Sequence, residues 1–177
     1  ADIGGFNDDN PVAFPDATPG GNPFSLTPYG GNAFIVTDGN YNRVLLAGVD
    51  GEVGIVVSFD NVVPTGTAVD GDEAYITEIG SYPHTAEKGM VLSVNVDAGT
   101  AEQVANGYSN MIDVEFGEDG TLYALNMGDE QVGEGPPAAP FTGTIFIVEP
   151  DGDLVPIVTG FMQATSLDIV GDDAFVT

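Results

Sequence analysis

A pattern that recurs four times along the chain restricts its fold more than any other feature. In each copy a short alternating strand leads through a Gly or Asp turn into a second strand, as in DVEFGEDGTLYAL at residues 113–125. The copies follow one another at intervals of roughly 40 to 50 residues, a spacing typical of repeat architectures. The second strand of each copy carries one aromatic residue, and these residues are Phe34, Tyr75, Tyr123 and Phe175.

A second hairpin alternates with the first, in the segments RVLLAGVDGEV, MVLSVNVDAGTAEQV and TIFIVEPDGDLVPIV. We interpret Gly51, Gly99 and Gly152 as structural residues of its tight turns. Each period therefore holds four strands and no helical pattern, which is typical of a β-propeller blade. The predicted fold class is all-β, a β-propeller of four-stranded antiparallel blades. A β-sandwich whose hairpins resemble one another by coincidence is the alternative.

The repeat also divides the chain. Residues 1–22 are predicted to hold the closing strand of a preceding blade and a loop. Blades are predicted at 23–62, 63–108 and 109–161, the last with a long loop at 128–143, and residues 162–177 are predicted to be the first two strands of a further blade. About three and a half blades cannot close a ring, since propellers need roughly four to eight. The open edges are therefore expected to meet missing blades of the same protein or neighbouring subunits, and Phe175 is expected to pack near Tyr123.

The charge balance narrows the possible partners and environment. The chain has 28 acidic residues against two side-chain cations, Arg43 and Lys88, and a formal net charge of −26. Nucleic acid is excluded as a partner because its phosphates would be repelled. Such self-repulsion destabilises a compact chain unless salt screens it. An acidic surface around a core of ordinary apolar content predicts a protein of a halophilic organism, and a calcium-loaded extracellular protein is the alternative.

The sequence lacks cysteine and a long apolar run, and both absences limit the functions that it can have. The chain has no Cys, so thiolate nucleophiles and thiolate metal sites are not available. No run approaches the roughly 18 apolar residues of a membrane span, so membrane insertion is not predicted. His84 is the one histidine and lies in a Pro-containing loop, where a solvated side chain is more common than a catalytic one. No catalytic residue is therefore predicted.

Propellers bind ligands around the central channel, which directs attention to the beginnings of the inner strands. Glu78, Asn110 and Asp113 are the candidate ligand-binding residues, and their oxygens are of the type that Ca²⁺ prefers. Such a cage would resemble that of gluconolactonase-type propeller hydrolases, in which the metal polarises a lactone carbonyl. The favoured alternative is that Asn110 and Asp113 hydrogen-bond turn amides between blades. The aligned inner-strand positions are Ser25, Gly66, Asp113 and Ser166.

Longer phrases point to one family. ADIGGFND, then NPFSLTPYGGNAFIVTDGNYNRVLLAGVDGEV, VPTGTAVDGDEAYITEIGSYPHTAEKGMVLSV and GYSNMIDVEFGEDGTLYALNMG, resemble the ScyD/ScyE family of secreted propeller proteins, named for its association with scytonemin biosynthesis. The resemblance implies a six-bladed, NHL-like propeller with an export signal, of which this chain would be the end of the second blade to the start of the sixth. It brings no established reaction or catalytic residues.

The sequence therefore predicts an exported binding or scaffold protein of a halophilic microbe, secreted or at the cell surface, without a cofactor and without enzymatic activity. One alternative is a Ca²⁺-dependent lactonase-like hydrolase that uses Glu78, Asn110 and Asp113. Another is a structural subunit of a surface layer or filament, whose open edges pair with neighbouring chains.

Overall fold

The computed structural model describes residues 1–13, 17–130 and 138–177, and its strands form three four-stranded antiparallel sheets and one two-stranded sheet. The first sheet contains β1 (Pro23–Tyr29), β2 (Ala33–Asp38), β3 (Arg43–Gly48) and β4 (Val53–Ser58). The second contains β5 (Pro64–Asp70), β6 (Glu73–Glu78), β7 (Met90–Asn95) and β8 (Thr100–Asn106). Within each sheet the strands pair in chain order, so each sheet is a simple up-and-down meander.

The remaining two sheets continue the same order. The third contains β9 (Met111–Phe116), β10 (Leu122–Asn126), β11 (Gly143–Val148) and β12 (Leu154–Phe161), and the fourth contains β13 (Leu167–Val170) and β14 (Asp173–Val176). The middle strands of each full sheet are mostly buried, whereas the outer strands β8 and β12 are mostly exposed. The first strands β5 and β9 are largely buried as well, whereas β1 is partly exposed.

Successive sheets pack face to face through apolar clusters. Ile35 and Val44 of the first sheet pack with Ala74 and Ile76 of the second. A similar cluster joins the second sheet to the third, and another joins the third to the fourth. The first strands β1, β5, β9 and β13 neighbour one another in this order. Sheets stacked around their first strands are the blades of a β-propeller, so the predicted fold class is confirmed.

The turns between the third and fourth strands have a positive φ at their glycines. Gly51, Gly99 and Gly152 have φ values of 101°, 65° and 92°, a region that favours glycine. The last two also lie against the preceding blade. A Cβ at Gly99 would lie 2.7 Å from the carbonyl oxygen of Val56, and one at Gly152 would lie 2.8 Å from that of Val104.

The beginning of the chain differs from the prediction. A closing strand was predicted within residues 1–22, and the structure has helix α1 (Ile3–Asp9) there. Asp2 caps this helix, because its carboxylate accepts a hydrogen bond from the amide of Gly5 at 2.9 Å. Ile3 and Phe6 are spaced to share one helical face, and they pack against the apolar cluster of Val36, Leu45 and Ala47.

The end of the chain differs in one side chain. Phe175 was expected to pack near Tyr123, but this prediction is wrong because Phe175 is 57% exposed. Leu167, Ile169 and Val176 belong to the apolar cluster that includes Tyr123 instead. Successive side chains of a strand point to opposite faces, so the neighbour of inward-facing Val176 must face outward.

The long loop predicted at 128–143 is described at both ends. Glu130 forms an isolated bridge with Ala138, and the hydroxyl of Thr142 accepts a hydrogen bond from the amide of Asp129 at 2.8 Å. Residues 131–137 of this loop, and residues 14–16 of the predicted N-terminal segment, lie outside the described residues. No helix in the part of the chain that the structure describes has the length and apolar character needed to cross a membrane.

Candidate functional site

One polar side chain ends the second strand of every complete blade. These residues are Asp38, Glu78 and Asn126, and each is fully buried. They lie at the same end of their sheets, next to the beginnings of the inner strands, because Asp38 pairs with Pro23, Glu78 with Pro64 and Asn126 with Met111. We call these three residues the polar row. Buried polar groups usually need partners, and the three residues meet this requirement differently.

Asp38 is fully paired. Its carboxylate lies 3.8 Å from Nε of Arg43 and accepts hydrogen bonds from the side-chain amide of Asn7 at 2.6 Å and from the backbone amide of Asn22 at 2.8 Å. Arg43 also donates to the side-chain oxygen of Asn7 at 2.6 Å and to the carbonyl oxygen of Asn10 at 3.1 Å. Helix α1 therefore closes this end of the first blade over a buried ion pair.

Asn126 is satisfied without a charge. Its side-chain oxygen accepts a hydrogen bond from the amide of Thr144 at 2.8 Å, and its nitrogen donates to the carbonyl oxygen of Ser109 at 3.4 Å. Sequence reasoning had missed Asn126, Arg43 and Asn7. Aligning the strand ends VTD, ITE and ALN would have identified Asn126, but nothing local links Asn7 to Asp38.

Glu78 is the exception. Neither of its carboxylate oxygens has a hydrogen-bond partner, and burial raises the pKa of Glu78 to about 8. The reason lies in the neighbouring strand. Asp38 pairs across the sheet with Arg43, whereas Glu78 pairs with Met90, which carries no charge. A carboxyl group without a cation or a donor is more stable protonated when it is buried, so Glu78 is largely neutral at pH 7.

The other two candidate residues make structural hydrogen bonds. Asn110 is buried, has a φ of 54°, and donates from its side chain to the carbonyl oxygen of Gly128 at 3.0 Å. Asp113 accepts from the amide of Leu167 in the fourth blade at 2.8 Å and from its own neighbour Val114 at 3.0 Å. Burial raises the pKa of Asp113, and the hydrogen bonds from Leu167 and Val114 oppose this increase. Asp113 thereby joins the third blade to the fourth.

The inner strands are linked by further hydrogen bonds at this level. The amide of Ser25 donates to the hydroxyl of Thr37 at 3.1 Å, and that hydroxyl donates to the carbonyl oxygen of Thr65 in the next blade. Gly66 lies so close to Asp113 that an added Cβ would overlap its carboxylate. Gly66 and Asp113 are therefore in contact across the boundary between the second and third blades, whereas Ser25 bonds within its own blade.

Glu78 ends β6 in the second blade, and Asn110 and Asp113 lie at the beginning of the third blade, so the calcium site predicted from these residues stays a prediction. Within residues 1–13, 17–130 and 138–177, no three His, Asp or Glu side chains group closely enough to hold a metal ion. Nδ1 of His84 lies 3.0 Å from the carbonyl oxygen of Gly80, a contact within its own loop.

Two clefts between blades offer room for small ligands. The first, of about 660 Å³, lies between the second and third blades and is lined by Tyr75, Phe116 and several carboxylates. The rings of Tyr75 and Phe116 meet edge to face with centroids 5.2 Å apart. The second, of about 480 Å³, separates the third blade from the two-stranded blade and is lined by Ile145, Ile157 and Ile169 among others. Aromatic and apolar walls with a few charged groups are typical of binding clefts.

The state of Glu78 predicts a dependence of stability on pH. Its carboxyl would ionise near the ordinary value of 4.5 in the unfolded chain but near 8 in the folded protein. The folded state therefore binds more protons between these values, and the free energy of unfolding should fall as pH rises from about 5 to about 8, by roughly 3 to 5 kcal/mol at most. Urea unfolding at constant high salt across this pH range measures the change.

The matched variants are Glu78→Gln and Glu102→Gln, which replace a carboxyl group with an amide at a buried and an exposed position. Glu78→Gln should flatten the pH dependence because the amide does not titrate. Glu102→Gln should retain the wild-type slope. Equal slopes in the two variants would show that Glu78 is not the titrating group.

Comparison with known proteins supports the fold. No known protein family and no curated protein matches the sequence. Among solved structures, the chain is similar to one in a nidogen/laminin complex (16% identity, TM-score 0.62, 83% of this chain and 51% of that one). It is also similar to a streptogramin B lyase (13%, 0.61, 94% and 50%) and to a PQQ-bound aldose sugar dehydrogenase from Streptomyces coelicolor (16%, 0.60, 89% and 56%). The chain thus spans about half the length of these structures.

Proposed function

We propose that this chain is part of an exported, non-enzymatic β-propeller that binds or scaffolds other molecules at or outside the cell surface of a halophilic microbe. Its resemblance to the ScyD/ScyE family supports export and a six-bladed ring in the whole protein. The charge of −26 supports a high-salt environment. The clefts between its blades supply surfaces on which small molecules can bind.

The main observation in support of the non-enzymatic role is the pair of hydrogen bonds that Asp113 accepts. Its two carboxylate oxygens accept amide hydrogen bonds, one from its own strand and one from Leu167 of the next blade. These hydrogen bonds give Asp113 a structural role between the two blades. The geometry therefore favours Asp113 as a link between blades.

A Ca²⁺-dependent lactonase-like hydrolase is the second candidate function, and one observation favours it. Glu78 is a fully buried carboxyl group with no hydrogen-bond partner on either oxygen. Unpaired buried groups with a raised pKa are more common at functional sites than elsewhere. A cation beside Glu78 would lower its pKa and supply the missing partner.

Calcium titration separates the two functions. If the binding or scaffold role holds, isothermal titration at constant ionic strength should detect no Ca²⁺ site with a Kd below about 1 mM, the weak end of protein calcium sites. Hydrolysis of a simple aliphatic lactone should not exceed the buffer rate. A Ca²⁺ site and lactone hydrolysis that are both lost in Glu78→Gln and Asp113→Asn but kept in Glu102→Gln would instead support the hydrolase.

A further inference from the structure

The cleft between the second and third blades lies apart from the polar row. Asp70 ends β5 and Asp119 lies in the turn between β9 and β10, whereas the polar row lies beside the beginnings of the inner strands. The cleft is therefore at the opposite end of the same two sheets. Every residue that lines it belongs to the second or the third blade, each of which has four strands.

The inner part of this cleft is apolar, and two aromatic rings line it. Leu122 and Val148 are buried and Val104 is half-buried. The rings of Tyr75 and Phe116 are nearly perpendicular, with an angle of 88° between their planes. Perpendicular rings form a corner in which one small ligand can contact both π-faces, and these faces carry the negative part of the ring quadrupole. The cleft volume of about 660 Å³ is within the range of small-molecule sites.

Three carboxylates line the cleft, and each lies at a different turn. Asp70 precedes the turn after β5, Asp119 lies in the turn after β9, and Glu149 follows β11. Hydrogen bonds from Thr121 lower the pKa of Asp119, so this carboxylate stays ionised. Burial raises the pKa of Tyr75, and the charge of Asp70 adds to the increase, so the phenol stays neutral. The cleft therefore combines negative charges with uncharged aromatic rings.

Neither side-chain cation of the chain lines this cleft. Arg43 is buried beside Asp38 in the first blade, and Lys88 donates to the carbonyl oxygen of Ser81 in its own loop. The carboxylates around the cleft therefore lack a Lys or Arg partner. They would repel an anion and would give a neutral ligand no charge interaction, so the cleft is complementary to a cation that also has apolar surface.

We infer that this cleft binds a small organic cation through a quaternary ammonium group, with its methyl groups against the aromatic rings and its charge near the carboxylates. Attraction between a cation and aromatic faces is the common way in which proteins recognise such groups. A hydrated K⁺ or Na⁺ ion lacks the apolar surface that the cleft would bury, so it is a weaker ligand here. The inference rests on the binding role proposed above and names the ligand class for one cleft.

Choline and its neutral carbon isostere, 3,3-dimethylbutan-1-ol, are the probes, because they share one shape and differ in charge. An NMR titration of their methyl signals at about 3 M KCl screens the long-range attraction of the net charge, so contacts within the cleft dominate. Choline should bind roughly 10-fold more tightly than the isostere or better. Equal binding of the two probes, or no detectable binding of choline, would overturn the inference.

Two variants locate the site. Phe116→Leu removes one ring but keeps an apolar side chain, and it should weaken choline binding by roughly 3- to 10-fold. Asp70→Asn should weaken it by about 2- to 3-fold, because salt screens part of this charge. Their matched controls, Tyr82→Leu and Asp60→Asn, change exposed residues that do not line the cleft and should bind choline as the wild type does. Wild-type affinity in Phe116→Leu, or an equal loss in Asp60→Asn and Asp70→Asn, would contradict binding in this cleft.

Circular dichroism of each variant shows whether it is folded. Asp70 is exposed, so Asp70→Asn should keep the wild-type spectrum even if Phe116→Leu, a change in the apolar cluster between two blades, lowers stability. The comparison of choline with its isostere needs no variant. Choline binding and calcium binding are separate readouts at opposite ends of the sheets. Loss of the first would overturn this inference alone, whereas a Ca²⁺ site that depends on Glu78 would contradict the proposed function and leave the cleft unaffected.

Discussion

Raising the KCl concentration from about 0.1 M to about 3 M is expected to raise the melting temperature on the order of tens of degrees, because screening removes most of the repulsion among acidic side chains. In the structure, few cations offset this repulsion. Of the two side-chain cations, Arg43 is buried and paired with Asp38. Lys88 remains, and its ammonium group donates to the carbonyl oxygen of Ser81 at 3.1 Å.

Thermal unfolding followed by circular dichroism measures this effect. Salts of different cations at equal ionic strength separate screening from specific binding. If millimolar Ca²⁺ at constant ionic strength produced the same stabilisation, the calcium-loaded alternative would replace the halophilic one. A melting temperature that did not change across the KCl range would contradict the halophilic proposal.

Replacing Arg43 with Met should lower the free energy of unfolding by about 3 to 5 kcal/mol, because it leaves the charge of Asp38 buried without its cation. The guanidinium also lies 5.4 Å from the ring centroid of Phe6 and 4.9 Å from that of Tyr41. The change should therefore also loosen helix α1, which contacts Arg43 through Asn7. Urea unfolding at high salt measures the loss.

Lys88→Met is the matched control because it changes the net charge by the same amount. Its effect should stay below about 1 kcal/mol, as is usual for surface charges. Adding Asp38→Asn to Arg43→Met should recover part of the lost stability, since no uncompensated charge then remains buried. Equal destabilisation by Arg43→Met and Lys88→Met would show that the loss comes from net charge and not from the buried ion pair.

The residues of the polar row show where prediction from sequence reached its limit. Glu78 was identified as a strand-end residue with a possible ligand role, and the structure places it in an equivalent position to Asp38 and Asn126. Its lack of a partner was not predictable, because it depends on Met90 standing where Arg43 stands in the first blade. That correspondence follows from cross-strand register. The register is set by the loop between the second and third strands, which has four residues in the first blade and 11 in the second.

Local physical chemistry determined the features that the sequence alone predicts. Alternation of apolar and polar residues encodes strands, Gly at tight turns encodes hairpins, and their repetition encodes four-stranded blades. These signals act over a few residues, so they can be identified from the sequence without a structure. The excess of carboxylates over cations can be counted in the sequence directly.

Tertiary structure alone decided which side chains meet. Helix α1 forms where a strand was predicted because Ile3 and Phe6 find an uncovered apolar surface on the first blade. Asn7 reaches Asp38, 31 residues away, only because the helix lies there. Phe175 is exposed and Val176 is half-buried because Val176 faces the third blade across β14 and Phe175 points to the opposite side. Contacts of this kind depend on packing between distant segments, and no local pattern in the sequence carries them.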